Sequence, residues 1–238
     1  MAPYPRYAIY YAPPAGTALD EFGARLLGYD AWTGTDLAFP EQVAQMVSDW
    51  IDVTGDPRKY GFHATLKAPF ALAIDRREDE LLAACAAFAG TPRLLPIITP
   101  VVDSISGFIA VVPAEPVSEL QRLASDCVTA FDDFRAPLTY DDRARRNPAA
   151  LSPRQCDYLD RWGYPYVLEE FRFHMTLTGR LGAARREPIV AMLRGRFAEL
   201  HLDHLAIDRI ALFRQDDQNI RFRIIGDWPL RRRDQPAA

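Results

Sequence analysis

Phe62-His63-Ala64-Thr65-Leu66 recurs as Phe173-His174-Met175-Thr176-Leu177, 111 residues further along a chain of 238. Read as a strand, each copy sends alternate side chains to opposite faces. His63 and Thr65 then share one face, about 6.5–7 Å apart along the strand. Phe62, Ala64 and Leu66 take the other face, which suits a core. The same holds for His174 and Thr176 against Phe173, Met175 and Leu177. A period near half the chain is far too long for a solenoid and fits a duplicated lobe.

Working outward, Tyr7–Tyr11 reads as an aromatic strand stopped by Pro13-Pro14. Thr17 is placed to cap a helix running to Leu27, with Leu19, Phe22 and Leu26 on one face. A second helix is expected after Pro40, carrying Val43, Met46, Val47 and Trp50 inward, and Gly55-Asp56-Pro57 breaks it. Residues 61–74 read as two short strands bent at Pro69, followed by a helix over 76–88. Ile97–Val102 and Phe108–Val112 read as a hairpin around residues 104–107. A helix over 116–132 places Leu120, Leu123, Cys127, Val128 and Phe131 on one face. Residues 135–170 are expected to form short helices with irregular turns. The end repeats the earlier order, with a strand over 171–178, a helix over 186–198, and strands over 205–213 and 219–225.

The expected fold is α+β, with two pseudo-symmetric lobes whose antiparallel sheets line a central cleft and carry helices outside. The hairpin and the lack of regular βαβ spacing argue for antiparallel pairing. One bilobal domain is expected over 1–238, with lobes at about 1–115 and 116–230. Arg231-Arg232-Arg233 opens a tail over 231–238 that reads as disordered.

Composition narrows the function classes. Apolar residues make up 49% of the chain and charged residues 25%, as in an ordinary globular protein. No apolar run approaches the roughly 18 residues of a membrane span. The start of the chain has no charged leader or cleavage site, so a cytoplasmic protein is expected. A net charge of −4 gives no field for wrapping duplex DNA. Cys85, Cys127 and Cys156 show no C-x-x-C spacing and read as structural thiols.

Two imidazoles and two hydroxyls converging on one cleft are equipment for in-line attack on phosphorus. A neutral histidine takes a proton from water while a protonated one gives a proton to the leaving oxygen. Threonine hydroxyls can hold the non-bridging oxygens. An ordinary histidine pKa of about 6.5 lets one ring act as base and its twin as acid near neutrality, with neither metal nor cofactor. The other two histidines lie in His201-Leu202-Asp203-His204, which lacks a zinc-protease pattern and reads as a surface turn, so no metal site is expected.

The pair His63-Ala64-Thr65-Leu66 and His174-Met175-Thr176-Leu177 resembles the double motif of the 2H phosphoesterase superfamily. More narrowly, Tyr60–Phe70, Trp162–Tyr166 and Phe171–Gly179 resemble the bacterial branch found with carbon–phosphorus-lyase (phosphonate utilisation) genes. The resemblance covers the chain from Tyr7 to about Leu230. It implies a two-lobed α+β fold, metal-independent chemistry on cyclic or 2′–5′ phosphodiesters, and His63, Thr65, His174 and Thr176 as the catalytic set.

Strand alternation extends the candidates. Lys67 and Gly61 are expected on the face of His63, and Arg172 and Thr178 on that of His174, where a cation can bind phosphate. Tyr10, with Tyr7 and Tyr11, is either an aromatic wall for a sugar or base or part of the core. The Arg143–Arg146 run reads as a solvated helix face on a segment that is long enough to form a lid. Three functions compete. The leading one is a cyclic phosphodiesterase for a small sugar or nucleotide phosphate, in phosphonate utilisation. The others are an RNA-end-processing enzyme or 2′–5′ ligase acting on short RNA, and a non-catalytic module that binds a cyclic nucleotide.

Overall fold

Alternation along Arg6–Tyr11 divides the structure into its two faces. Tyr7, Ile9 and Tyr11 enter the larger core cluster, whereas Ala8 and Tyr10 enter a smaller one on the opposite side. The computed structural model describes residues 4–233. Its strands are β1 (Arg6–Tyr11), β2 (Tyr29–Asp30), β3 (Thr35–Asp36), β4 (Ala64–Ala71), β5 (Ile97–Ile98), β6 (Pro100–Ile105), β7 (Phe108–Pro113), β8 (Met175–Thr176), β9 (Leu205–Ala206), β10 (Arg209–Gln215) and β11 (Arg223–Pro229). Its α-helices are α1 (Ala18–Leu27), α2 (Glu41–Met46), α3 (Trp50–Val53), α4 (Gly55–Arg58), α5 (Glu78–Gly90), α6 (Ser118–Ala130), α7 (Tyr140–Arg145), α8 (Pro153–Trp162) and α9 (Ala183–Ala198).

The fold is α+β and antiparallel. Seven strands form one sheet in the order β11-β10-β1-β4-β8-β7-β6, and each neighbouring pair is antiparallel. Strands from the first and second halves of the chain alternate across it, so both halves share one core. Helices cover the larger cluster's face: α5 packs on β10 and β11, α6 on β4, and α9 on β6 and β7. The other face is left partly open, and the motif histidines lie there.

Local chemistry explains the elements. Thr17 accepts a hydrogen bond from the Asp20 amide at the start of α1, and Gly28 ends the helix in the left-handed region. Midway along α1, Gly23 receives the ring of Phe62. A Cβ at Gly23 would lie 2.0 Å from that ring, so only glycine lets the residue before His63 seat directly on the helix backbone. The β6–β7 hairpin turns at Ser106-Gly107, both with positive φ, so Ser104 and Ile105 belong to the strand instead of the loop.

Several expectations need correction. The helix after Pro40 is three short helices, α2, α3 and α4, and Met46 is 68% exposed instead of buried. The two strands bent at Pro69 are one strand, β4, in which bulges absorb the irregularity. The expected strand over 171–178 is reduced to Met175–Thr176. Residues 231–233 are docked: the Arg231 amide donates to Ala89, the Arg93 amide to Arg231, and the Arg233 amide to Arg93. The rest of the expected tail, 234–238, lies outside the described residues.

The β4 bulges also redirect Lys67. Tyr10 lies opposite Thr65, but Ile9 lies opposite Lys67, so β4 spends two residues where β1 spends one. That extra residue reverses the alternation and turns Lys67 to the helix side with Ile9, away from His63's face. Its side chain is 3% exposed, and the ammonium donates to the Val128 carbonyl and to Asp132, both at 2.9 Å. Asp132 is also held by Arg135. Asp132→Asn strands the buried ammonium without a counter-charge and is expected to cost about 3 kcal/mol. Lys67→Met removes the charge, fills the space and leaves Asp132 on Arg135, so it should cost much less. Urea unfolding of both variants checks this, and equal losses would contradict it.

Candidate active site

The two motif strands are neighbours. Ala64 of β4 pairs with Met175 of β8 in antiparallel register. One residue further in each direction, the same register sets His63 opposite Thr176 and Thr65 opposite His174, all on the open face. The core-facing residues Phe62, Ala64, Leu66, Phe173, Met175 and Leu177 lie in the larger cluster beneath. An approximate two-fold between Ala64 and Met175 therefore relates one His–Thr pair to the other.

Each histidine is oriented in the same way. His63 Nδ1 lies 2.9 Å from the Gly61 carbonyl, and His174 Nδ1 lies 2.7 Å from the Arg172 carbonyl. A carbonyl only accepts, so both rings carry their proton on Nδ1 and present a bare Nε2. Gly61 reaches this geometry at φ +75, with its Cα close against Ala31. His63 Nε2 is 3.3 Å from Thr65 Oγ1, which donates to it. The His63 ring stacks on Tyr10 with centroids 3.8 Å apart, and His174 meets Phe108 at 5.3 Å.

Burial holds both rings neutral. It pushes His63 down to about 4, His174 adds repulsion, and the Gly61 carbonyl opposes the shift. His174 is also lowered by burial, against the pull of the Arg172 carbonyl.

His63, Thr65, His174, Thr176, Thr178 and Tyr10 all border one cavity of about 490 Å³. Thr178 is fully buried there and already engaged, accepting from the Ile109 amide and donating to the Gly179 carbonyl. Tyr10 is buried as the platform under His63. Arg172 is exposed on an adjoining cavity of about 320 Å³ that also reaches Thr65 and His174. Lys67 is in none of these. His201 and His204 lie on the surface, away from the cleft lining.

Sequence reasoning missed Arg6, Tyr60, Arg146, Tyr164 and Arg180 on the main cavity wall. Arg6 was legible, because it stands two and four residues before Ala8 and Tyr10 on the same strand face. Arg146 was not, because it reaches the cleft from an irregular segment after α7.

Comparison with known proteins adds the following. The chain resembles solved structures of E. coli LigT complexed with 3′-AMP (TM-score 0.43, 13% identity, 96% of this chain and 99% of that one) and with NADP+ (0.42, 15%, 98% and 100%). It also resembles a structure described as a phosphoesterase (0.42, 12%, 96% and 100%). Two curated relatives are named ribose 1,5-bisphosphate phosphokinase PhnN. One, from Janthinobacterium sp. (strain Marseille), is 37% identical over 223 residues, covering 89% of this chain and 48% of the relative. The other, from Laribacter hongkongensis (strain HLHK9), is 31% identical over 222 residues, covering 92% and 50%. The chain thus spans about half the length of the curated relatives it matches. Residues 65–223, which include Thr65 and the whole second motif, match the family described as "protein of unknown function (DUF1045)", and the chain belongs to that family.

Proposed function

We propose that this cleft opens a small cyclic sugar or nucleotide phosphate by histidine acid–base catalysis without a metal ion. The observation that carries the reading is the matched pair of Nε2 atoms, each left unprotonated by an Nδ1–H to carbonyl bond and set just before adjacent strands on one cavity. Among the described residues, no group of three or more His, Cys, Asp or Glu side chains is placed to hold a metal ion.

Roles follow from the electrostatics. His63, pushed down to about 4, is the base that takes a proton from water through Nε2. His174, whose charge is one of the effects that lower His63, is assigned as the acid. As the water oxygen bonds to phosphorus, the P–O bond of the ring breaks, and the His174 proton goes to the departing oxygen. The products are a phosphomonoester and a free hydroxyl. Thr65 and Thr176 donate to the non-bridging oxygens as their charge grows.

The relatives' name lies in ribose bisphosphate chemistry, which supports a sugar phosphate over an RNA polymer as substrate, and with the motif resemblance it supports a role in phosphonate utilisation. The kinase part of the name is not carried over. This sequence has no G-x-x-x-x-G-K-[S/T] phosphate loop, and its only lysines are Lys59 and Lys67.

Incubation with a panel of cyclic phosphates in excess chelator, followed by phosphorus NMR, is expected to show conversion to monoesters. Appearance of 2′–5′ linkages with added oligonucleotides would favour the ligase reading, and dependence on a divalent ion would overturn metal-free catalysis. On a processed substrate, His63→Ala and His174→Ala should each lower kcat by about 10²–10⁴, with the double variant scarcely worse, because both act in one step. Wild-type turnover by either single variant would contradict the pair.

The pH profile has a definite sign. The productive free state, with His63 neutral and His174 charged, exists between about pH 4 and the His174 value, itself below 6.5. Initial-rate kinetics should therefore show kcat/KM peaking below pH 6.5, falling toward alkali as His174 loses its proton and toward acid as His63 gains one. An anion between the rings favours both charged forms, so the kcat profile should lie at higher pH. A kcat/KM optimum above pH 7.5 would contradict the assignment.

A further inference from the structure

The main cavity continues, past Arg6, Tyr60, Pro69 and Arg146, into a second one of about 290 Å³. Those four residues border both spaces. The Arg6 guanidinium lies over the Phe222 ring at 5.9 Å, and the Arg146 guanidinium over the Tyr164 ring at 5.0 Å. Tyr60 is stacked on the same Phe222 at 5.3 Å, and Tyr10 leans on Phe222 at 6.4 Å. The Phe222 block with Tyr10 and Tyr60 thus carries Arg6, and Tyr164 carries Arg146, on the wall of one cavity. The charges of Arg6 and Arg146, and the Tyr60 and Tyr164 phenols, all act on the Tyr10 hydroxyl.

The carboxylates on these walls are committed elsewhere. Asp142 accepts from Arg145, and Asp56 from Lys59. Neither Arg6 nor Arg146 is paired with a carboxylate of a described residue. Arg135, which also lines the second cavity, is held by Asp132. Two guanidiniums over aromatic rings, without a carboxylate partner among the described residues and with phenols beside them, form a receptor for a planar or tetrahedral oxyanion. A scissile phosphate between His63 and His174 would sit beside this junction and leave it open for another group.

We propose that Arg6 and Arg146 form a second anion subsite, so that the substrate is a phosphorylated sugar or nucleotide carrying a second phosphoryl group besides the one at the histidines. This rests on the acid–base reading above for turnover, though not for binding. It makes the cleft selective for bisphosphorylated compounds, and it disfavours a plain nucleoside cyclic phosphate. The reaction that supplies the substrate must leave a phosphate monoester on the same sugar that carries the cyclic diester. The reaction that consumes the product must accept a sugar bisphosphate.

Two measurements separate the subsite from the chemistry. In calorimetry, adenosine 3′,5′-bisphosphate should bind wild-type protein at least tenfold more tightly than adenosine 3′-monophosphate, about the factor that one charge-assisted hydrogen bond carries. Arg6→Gln combined with Arg146→Gln should erase that gain. In turnover, kcat/KM for 5′-phosphoadenosine 2′,3′-cyclic phosphate should exceed that for adenosine 2′,3′-cyclic phosphate by a similar factor, and the ratio should collapse in the double variant. If the binding gain is lost in the variant but neither cyclic compound is turned over, the subsite stands and the hydrolase reading fails. If the cyclic compounds are turned over with no preference, or the gain survives in the variant, the subsite is overturned.

Discussion

The antiparallel pairing of Ala64 with Met175 is the contact on which the site depends. It joins strands from the two halves of the chain at the middle of the sheet, and it sets each histidine across from the other copy's threonine. With side chains alternating, the same pairing that buries Ala64 and Met175 turns His63, Thr65, His174 and Thr176 toward the cavity on the opposite face. A slip of one residue would bury the imidazoles and expose the core. The residues beneath hold that register: Phe62 is seated on Gly23, and Phe173, Met175 and Leu177 lie in the main cluster.

The second constraint is electrostatic. Both rings are partly withdrawn from water, which favours their neutral forms, yet the proposed acid–base chemistry needs one of them charged. The Nδ1–H bonds to Gly61 and Arg172 offset part of that burial and fix the tautomer. In the proposed reaction an anionic substrate supplies the remainder, so the acid is assembled by the ligand it acts on. Arg172 and Arg180 border the adjoining cavity, while Arg6 and Arg146 border the other end of the cleft. A chain of net charge −4 thereby gathers arginines around its cleft.

The sequence reading succeeded where alternation is regular. The repeated pentapeptide revealed the two motif strands and their faces, and Thr17 marked the first helix correctly. It failed where a bulge intervenes. Lys67 was assigned to the face of His63 by counting residues, and the extra β4 residue opposite Ile9–Tyr10 turned it to Asp132 instead. No local signal in Leu66-Lys67-Ala68-Pro69 reveals that bulge, since it is set by pairing with β1. Arg146 and Tyr164 were illegible for a related reason: they reach the cleft from irregular backbone, where periodicity carries no information. Arg231–Arg233 read as a tail because their partners, Ala89 and Arg93, are distant in sequence.

Long-range proton–nitrogen NMR of the imidazoles across pH tests the central claim most directly, because it reads tautomer and protonation at each ring nitrogen. With His201 and His204 assigned by substitution, the account predicts Nδ1–H tautomers for both His63 and His174 at neutral pH and a His63 titration near pH 4. It also predicts that adenosine 3′-monophosphate raises the titration points of both rings together. An Nε2–H tautomer at either ring, or a response to the nucleotide confined to one of them, would contradict it.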